Sequence, residues 1–392
     1  MKKVLSLMLA FAMAFSLAAC GGSSSSTESS GSTTSGSGES TSSDTVKFAV
    51  VGPMTGQDAE YGLGFRQAAQ IMADRWNENG GVNGKQIELV VYDDKGTAEE
   101  SANVAEQIVA NDEIVAVVGH FASSCSMAAA PIYQEHGMLE ISPCSSHADF
   151  TSVGDWIWRV SPLSSDESRT VARIVTEYFE ADKVGILIMN TDWGVESATL
   201  QQEYLRELNP DVEIVTETVV EGNDDYSSVV TNFQNAGIEA VVCCSTYTVT
   251  APFLNQMRDA MPGLPAVAHG NCQVQQVIDI LGDNAEGLVC SCAWSHIFTD
   301  EESQYFTEKY EAMDPNGNTP IGDYAQYYDT LGVLLQACEN VGSFDREAIR
   351  QELATIEYDG LSGHLDFDDN RDCPRDYGAV IVENGEWVQL DF

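Results

Sequence analysis

Short apolar runs alternate with amphipathic helical segments along most of this 392-residue chain, and that alternation leaves few folds open. Val46–Gly52 is almost wholly apolar and ends in Gly-Pro, as a strand buried on both faces does. From Tyr61 to Asn79 the spacing changes to a helical one, with Phe65, Ala68, Ala69, Met72 and Trp76 on one stripe. Gly80-Gly81 can end that helix, and Asn83-Gly84 turns the chain into a second strand, Gln86–Tyr92. Helix Ala98–Ala110, strand Val115–Gly119, helix Ser124–Glu135 and strand Met138–Ser142 continue the series. Such units build a parallel sheet with helices on both faces.

The pattern starts again after Asp166. Helices are expected at Glu167–Phe179, Val195–Leu208, Tyr226–Asn235 and Ala251–Ala260. Strands are expected at Val184–Met189, Val212–Val219, Ala240–Cys244, Pro265–Ala268 and Leu288–Ala293. A long helical stretch, Glu301 to Leu353, and paired strands around Leu365 and Val380 close the chain. The fold class is α/β, in two successive bodies of similar size.

The first 44 residues belong to neither body. Lys2 and Lys3 precede an apolar run, Val4 to Leu17, that is too short for a spanning helix and leads into Leu17-Ala18-Ala19-Cys20. This resembles a bacterial lipoprotein signal: residues 1–19 would be removed and Cys20 lipidated. Residues 20–44 are rich in Ser, Gly and Thr, cannot bury a core and read as a tether reaching roughly 25–30 Å. The expected location is the outer face of the cell membrane, through a lipid anchor. No later stretch is long and apolar enough to span a bilayer, so whatever is bound must pass to another chain.

Charge narrows the partners. Lys and Arg number 18 against 61 Asp and Glu, a formal net charge of −43. Such a surface repels phosphate backbones, which excludes nucleic acid as a partner. Of ten cysteines, Cys20 has its own reading, and the odd remainder cannot all pair within one chain. Vicinal Cys243-Cys244 lies in an apolar run, and no C-x-x-C occurs, so buried reduced thiols are expected rather than a zinc or redox site.

Seven blocks carry a family likeness. VGPMTGQDAEYG (Val51 to Gly62), WNENGGVNGKQIELVVYDD (Trp76 to Asp94), VVGHFASS (Val117 to Ser124) and ISPCSS (Ile141 to Ser146) come first. WRVSPLSSD (Trp158 to Asp166), NAEGL (Asn284 to Leu288) and GLSGHLDFDDN (Gly360 to Asn370) follow. In this order the chain resembles the type I periplasmic binding proteins of the branched-chain amino acid class. The resemblance implies a two-lobed clamp, each lobe a parallel sheet flanked by helices, with three hinge crossovers. Lobe one would be 45–163 plus 292–361, and lobe two 164–291 plus 362–392. It further implies an amino acid or related carboxylate bound in the cleft, recognition of the closed form by an ABC permease, a monomer, and no cofactor. A hinge motion biased by a ligand touching both lobes is the physical content of that reading.

Ser123 and Ser124 directly follow the strand that ends at Gly119, where α/β sheets bind ligands. Free N–H groups and the positive helix end suit a carboxylate there, although position alone equally suits helix capping. Ser146 follows the next strand and can add a donor. By the resemblance, Cys144 would line the cleft, Tyr61 would flank the ligand side chain, and Trp193 would close over it from lobe two. Tyr247 stands near where the family has an aromatic by the ligand ammonium, but an ungapped reading falls on Thr246.

One departure concerns the amine. Where the family commonly has a carboxylate after the Pro265–Ala268 strand, this chain has His269-Gly270-Asn271-Cys272, with no acid; Asn271 is a candidate ligand contact there. A buried ammonium without a counter-charge is costly. Either another acid reaches it, with Asp192 and Asp323 as candidates, or the ligand has no free amine. Catalytic readings are weaker. Gly62-x-Gly64 lacks a third glycine, and neither G-x-S-x-G nor H-E-x-x-H occurs. His120 near Ser123 reads as packed beneath the loop. Asp366, Asp368, Asp369, Asn370 and Asp372 lack the glycine and glutamate of a calcium loop. No catalytic residue and no metal is expected.

Overall fold

The computed structural model describes residues 44–392. The signal, Cys20 and nearly all of the tether therefore lie outside the described residues.

Five parallel strands form the first sheet. β1 (Thr45–Gly52), α1 (Ala59–Glu78), β2 (Gln86–Asp93), α2 (Ala98–Val109), β3 (Ile114–Val118), α3 (Ser123–His136), β4 (Leu139–Ser142) and β5 (Ile157–Arg159) follow one another, and the strands stand in the order β2-β1-β3-β4-β5. Every residue of β3, β4 and β5 is buried, as strands covered by helices on both faces must be. Three residues are too few for a pattern, so β5 was not expected from the sequence.

The second sheet has seven strands. α4 (Ser164–Arg173) runs into a wider helical turn at Ile174–Tyr178, followed by β6 (Lys183–Met189), α5 (Asp192–Leu208) and β7 (Glu213–Val219). α6 (Ser227–Ala236), β8 (Ala240–Cys244), α7 (Tyr247–Ala260), β9 (Ala266–Ala268), α8 (Gln275–Leu281) and β10 (Leu288–Cys292) complete its parallel part. The expected 301–353 helical stretch is three helices, α9 (Glu301–Met313), α10 (Gly322–Val341) and α11 (Arg346–Leu353). Asp300 and Asp345 cap the first and last of these by accepting from Ser303 N and Ala348 N, each at 2.9 Å. β11 (Glu357–Gly360) and β12 (Gly363–Asp366) form a separate antiparallel hairpin, and β13 (Gly378–Glu383) with β14 (Glu386–Leu390) extends the second sheet to β14-β13-β10-β9-β8-β6-β7.

Leu365 and Val380 are thus both paired, but in different sheets. The expected lobe boundary between 361 and 362 falls inside the β11–β12 hairpin, whose register joins Gly360 to Gly363. The chain leaves the first sheet after β5, returns after β10 to lay α9 and α10 against α1, and leaves again after β12. Fully buried Arg159 ties these passages together. It donates to Asp372 Oδ1 (2.6 Å) in the last passage and to the Ser145 and His147 carbonyls (3.1 and 2.6 Å) in the loop after β4. The nine described cysteines are all free, and all but Cys144 are buried.

Candidate functional site

A cavity lies between the two sheets, at the carboxyl ends of β3 and β4 on one side and of β6, β8 and β9 on the other. With its mouth it encloses about 970 Å³. Six of the eight expected site residues line it: Ser123, Ser124, Cys144, Ser146, Trp193 and Asn271.

α3 supplies the donor corner. Ala122 occupies the cap position and makes no side-chain cap bond, so Ser123 and Ser124 are the first two helical residues rather than caps. Their N–H groups precede any intrahelical acceptor, and the helix end is positive. The Ser123 side chain is 2% exposed, and its hydroxyl has no protein partner. Ser146 Oγ lies 3.0 Å from Ser164 Oγ, and the Ser146 carbonyl accepts from Ser164 N at 3.0 Å, so this serine also fixes the start of α4. His120 is committed elsewhere: Nδ1 lies 2.7 Å from Asp94 Oδ2 and Nε2 lies 3.2 Å from the Tyr133 hydroxyl. It packs beneath the loop as expected.

Tyr61 and Tyr247 do not line the cavity. Tyr61 is fully buried beside it; its hydroxyl donates to the Asn271 carbonyl (2.7 Å) and accepts from Tyr247 N (3.4 Å), and its ring meets Phe121 and Tyr247 at 4.9 and 5.3 Å. The residue expected to flank a ligand instead joins the two halves of the clamp. Thr246 takes the wall position that the ungapped reading gave it. α7 starts at Tyr247, four residues ahead of the expected Ala251, which sets the two neighbours on different faces.

Acids dominate the charge of the wall. Asp58, Glu167, Glu221 and Asp323 all line it, against His269 as the one basic side chain. Glu167 accepts from Gly270 N (2.9 Å) and Ser291 Oγ (2.6 Å), and Oε2 lies 2.9 Å from His269 Nδ1. Burial alone would raise the Glu167 carboxyl, but His269 and these donors hold it below the usual range. Burial alone would lower His269, but Glu167 lifts it to about 10, so the two form a fixed ion pair. Asp58 is pushed up to about 7 by its burial and by Glu221, which faces it from the other half. Asp323 is pushed up to about 7 by its enclosure, with the charge of Glu167 adding to it. Asp192, the other candidate acid, is exposed and belongs to a separate surface depression with Glu196. Among the described residues, no group of three or more His, Cys, Asp or Glu could hold a metal ion.

Glu167 and Gln326 carry no local sequence signal. A strand-end rule finds Ser123 and Ser146, whereas these residues reach the cavity only because the chain recrosses between the sheets.

Comparison with known proteins agrees with this geometry. The family model described as periplasmic binding protein matches residues 45–384. The leucine-, isoleucine-, valine-, threonine- and alanine-binding protein of Pseudomonas aeruginosa is 27% identical over 349 residues, covering 88% of this chain and 91% of its own length. The crystal structure of a leucine-binding protein from Thermotoga maritima superposes with a TM-score of 0.81 at 26% identity, covering 88% of this chain and 98% of the other. A branched-chain amino acid transporter substrate-binding protein from Streptococcus pneumoniae, in complex with isoleucine, gives 0.81 at 25% identity, with 88% and 97% covered.

Proposed function

The chain belongs to the periplasmic binding protein family, and from that premise we propose that it is the extracytoplasmic receptor of an ABC importer. It binds an amino acid, branched-chain or related, between two lobes and delivers it to membrane permease subunits. The observation that carries this is the donor corner: the open N-terminus of α3 and the unpartnered, buried Ser123 hydroxyl face a cavity between two sheets, as a ligand carboxylate requires. Its relatives from Pseudomonas, Thermotoga and Streptococcus, by their names, bind such amino acids. Ser123, Ser124 and Ser146 hold the carboxylate, while Cys144, Trp193 and Asn271 shape the wall. Tyr61 and Tyr247 act from behind it.

Lobe one is 45–163 with the segment from 292, and lobe two is 164–291 with the C-terminal strands; the last crossing falls after the β11–β12 hairpin. A lipidated Cys20 and the 20–44 tether would leash a monomer to the membrane. The receptor carries its ligand unchanged, with no catalytic step.

A thermal-shift screen of the purified chain against the twenty amino acids and their deaminated counterparts tests this. A ligand at 1,000 times its Kd adds about 4 kcal/mol to stability. A shift from any amino acid, lost in the Ser123→Ala/Ser146→Ala double variant, is the expected outcome. Silence across the panel would overturn the reading. The His269–Cys272 segment, which holds no acid where the resemblance expects one, favours a second reading, a receptor for a carboxylate without a free amine. In that case only the deaminated compounds would shift the protein.

A further inference from the structure

The cavity has a second corner opposite in character to the first, and its chemistry is that of acceptors without donors. Gln273 is 1% exposed and Gln326 4% exposed; both line the cavity, and the Oε1 of each has no partner. The Gln273 amide is oriented by its own Nε2, which donates to the Ser291 carbonyl at 2.9 Å, so Oε1 is the end left over. The Asp323 carboxylate beside them takes one long hydrogen bond, 3.5 Å from Gln326 Nε2.

The corner is built by chain crossings. The first turn of α10, with Asp323 and Gln326, packs against the turn Gly270–Cys272 that precedes Gln273. Gly322 lets the start of α10 lie close against the segment that follows β10, since a Cβ there would stand 3.1 Å from the Trp294 carbonyl. Cys144 Sγ lies 3.9 Å from the Asp323 carbonyl, so the loop carrying Ser146 adjoins the corner. Donor and acceptor corners are therefore neighbours, as the carboxylate and amine of one α-carbon are.

Two buried amide oxygens beside a half-buried carboxylate are costly unless a ligand brings donors. The other wall acids do not serve. Glu167 is occupied by Gly270, Ser291 and His269, and Glu221 is exposed and takes the Thr248 hydroxyl at 2.8 Å. Asp58 faces Glu221.

We propose that Asp323, Gln273 and Gln326 seat the protonated amine of the ligand, in place of the acid that the His269–Cys272 segment lacks, so that the receptor takes zwitterions and rejects amine-free carboxylates. This rests on the amino-acid receptor reading above and narrows it.

The test is calorimetric titration of the purified chain with the amino acid giving the largest thermal shift and with its deaminated counterpart (4-methylpentanoate where that amino acid is leucine). Wild type should prefer the amine form, and Asp323→Asn should weaken it ~100-fold while changing the deaminated compound less than about threefold. Asp58→Asn should move neither by that much. Gln326→Leu should weaken the amine form ~10-fold, and it carries the comparison if Asp323→Asn is insoluble. If Asp323→Asn and Gln326→Leu both leave the amine form within about threefold of wild type, or if the two forms bind wild type equally, the seat is wrong and the receptor reading stands. Binding of neither series would overturn both.

Discussion

Replacing Tyr61 with Phe is expected to weaken ligand binding although Tyr61 does not itself line the cavity. The hydroxyl belongs to α1 and the two groups it bonds, the Asn271 carbonyl at 2.7 Å and the Tyr247 N–H at 3.4 Å, belong to the other sheet's loops. Phe keeps the ring and its contacts with Phe121 and Tyr247, so the loss is confined to hydrogen bonding. In the closed clamp the substitution strands a carbonyl that water does not replace, at about 2 kcal/mol. In an opened clamp both groups meet water and lose nothing. The whole penalty therefore falls on closure, and because ligand binding is coupled to closure the Kd should rise ~30-fold. Calorimetric titration gives the affinity, and small-angle scattering with saturating ligand shows whether closure still occurs. A Kd within about twofold of wild type would refute the argument. So would a fall in the melting temperature of the ligand-free protein that accounts for the whole effect.

Arg159→Ala should cost about 3–5 kcal/mol in urea unfolding, because it leaves Asp372 buried without its cation, and adding Asp372→Ala should recover part of the loss. For pH, Asp58 and Asp323 both sit near 7 in the folded protein against an ordinary 3.8. A carboxyl raised on folding loses stability as pH climbs from its unfolded value to its folded one. The melting temperature should therefore fall between about pH 4 and pH 7. Asp58→Asn, which removes the repulsion from Glu221, and Asp323→Asn, which removes that from Glu167, should each flatten the curve; an unchanged slope in both would contradict the assignment. Finally, among the nine described thiols an aromatic disulfide reagent should titrate at most Cys144 in the native protein and all nine in urea, since the other eight are buried and free. Reducing agent should leave the melting temperature unchanged.

The sequence by itself determined the secondary structure of the two bodies and one half of the site. Period and punctuation are local properties, so Val46–Gly52, Ala240–Cys244 and the start of α3 could be read within a residue or two. Ser123, Ser124 and Ser146 were legible for the same reason: each closely follows a strand of the first sheet, and strand ends are where such sheets bind, whereas Cys144 came from the family resemblance.

Only the tertiary structure decided the rest. Whether Thr246 or Tyr247 faces the ligand turns on where α7 begins, and one residue along a helix is about 100° around it. Tyr61 was expected at the wall by the family resemblance; its burial against Asn271 and Tyr247 depends on a half of the chain almost two hundred residues away. The acceptor corner is the strongest case. The sequence offered Asp323 and Asp192 as equal candidates and had no means of choosing between them; Gln326 lies one turn along the same helix as Asp323, and Gln273 follows a short turn. What makes them a site is the return of the chain after β10, which sets the first turn of α10 against the Gly270–Cys272 turn. Periodicity records which face of an element is buried, but not which distant element will cover it, because contact across a crossover is fixed by the packing of the whole fold.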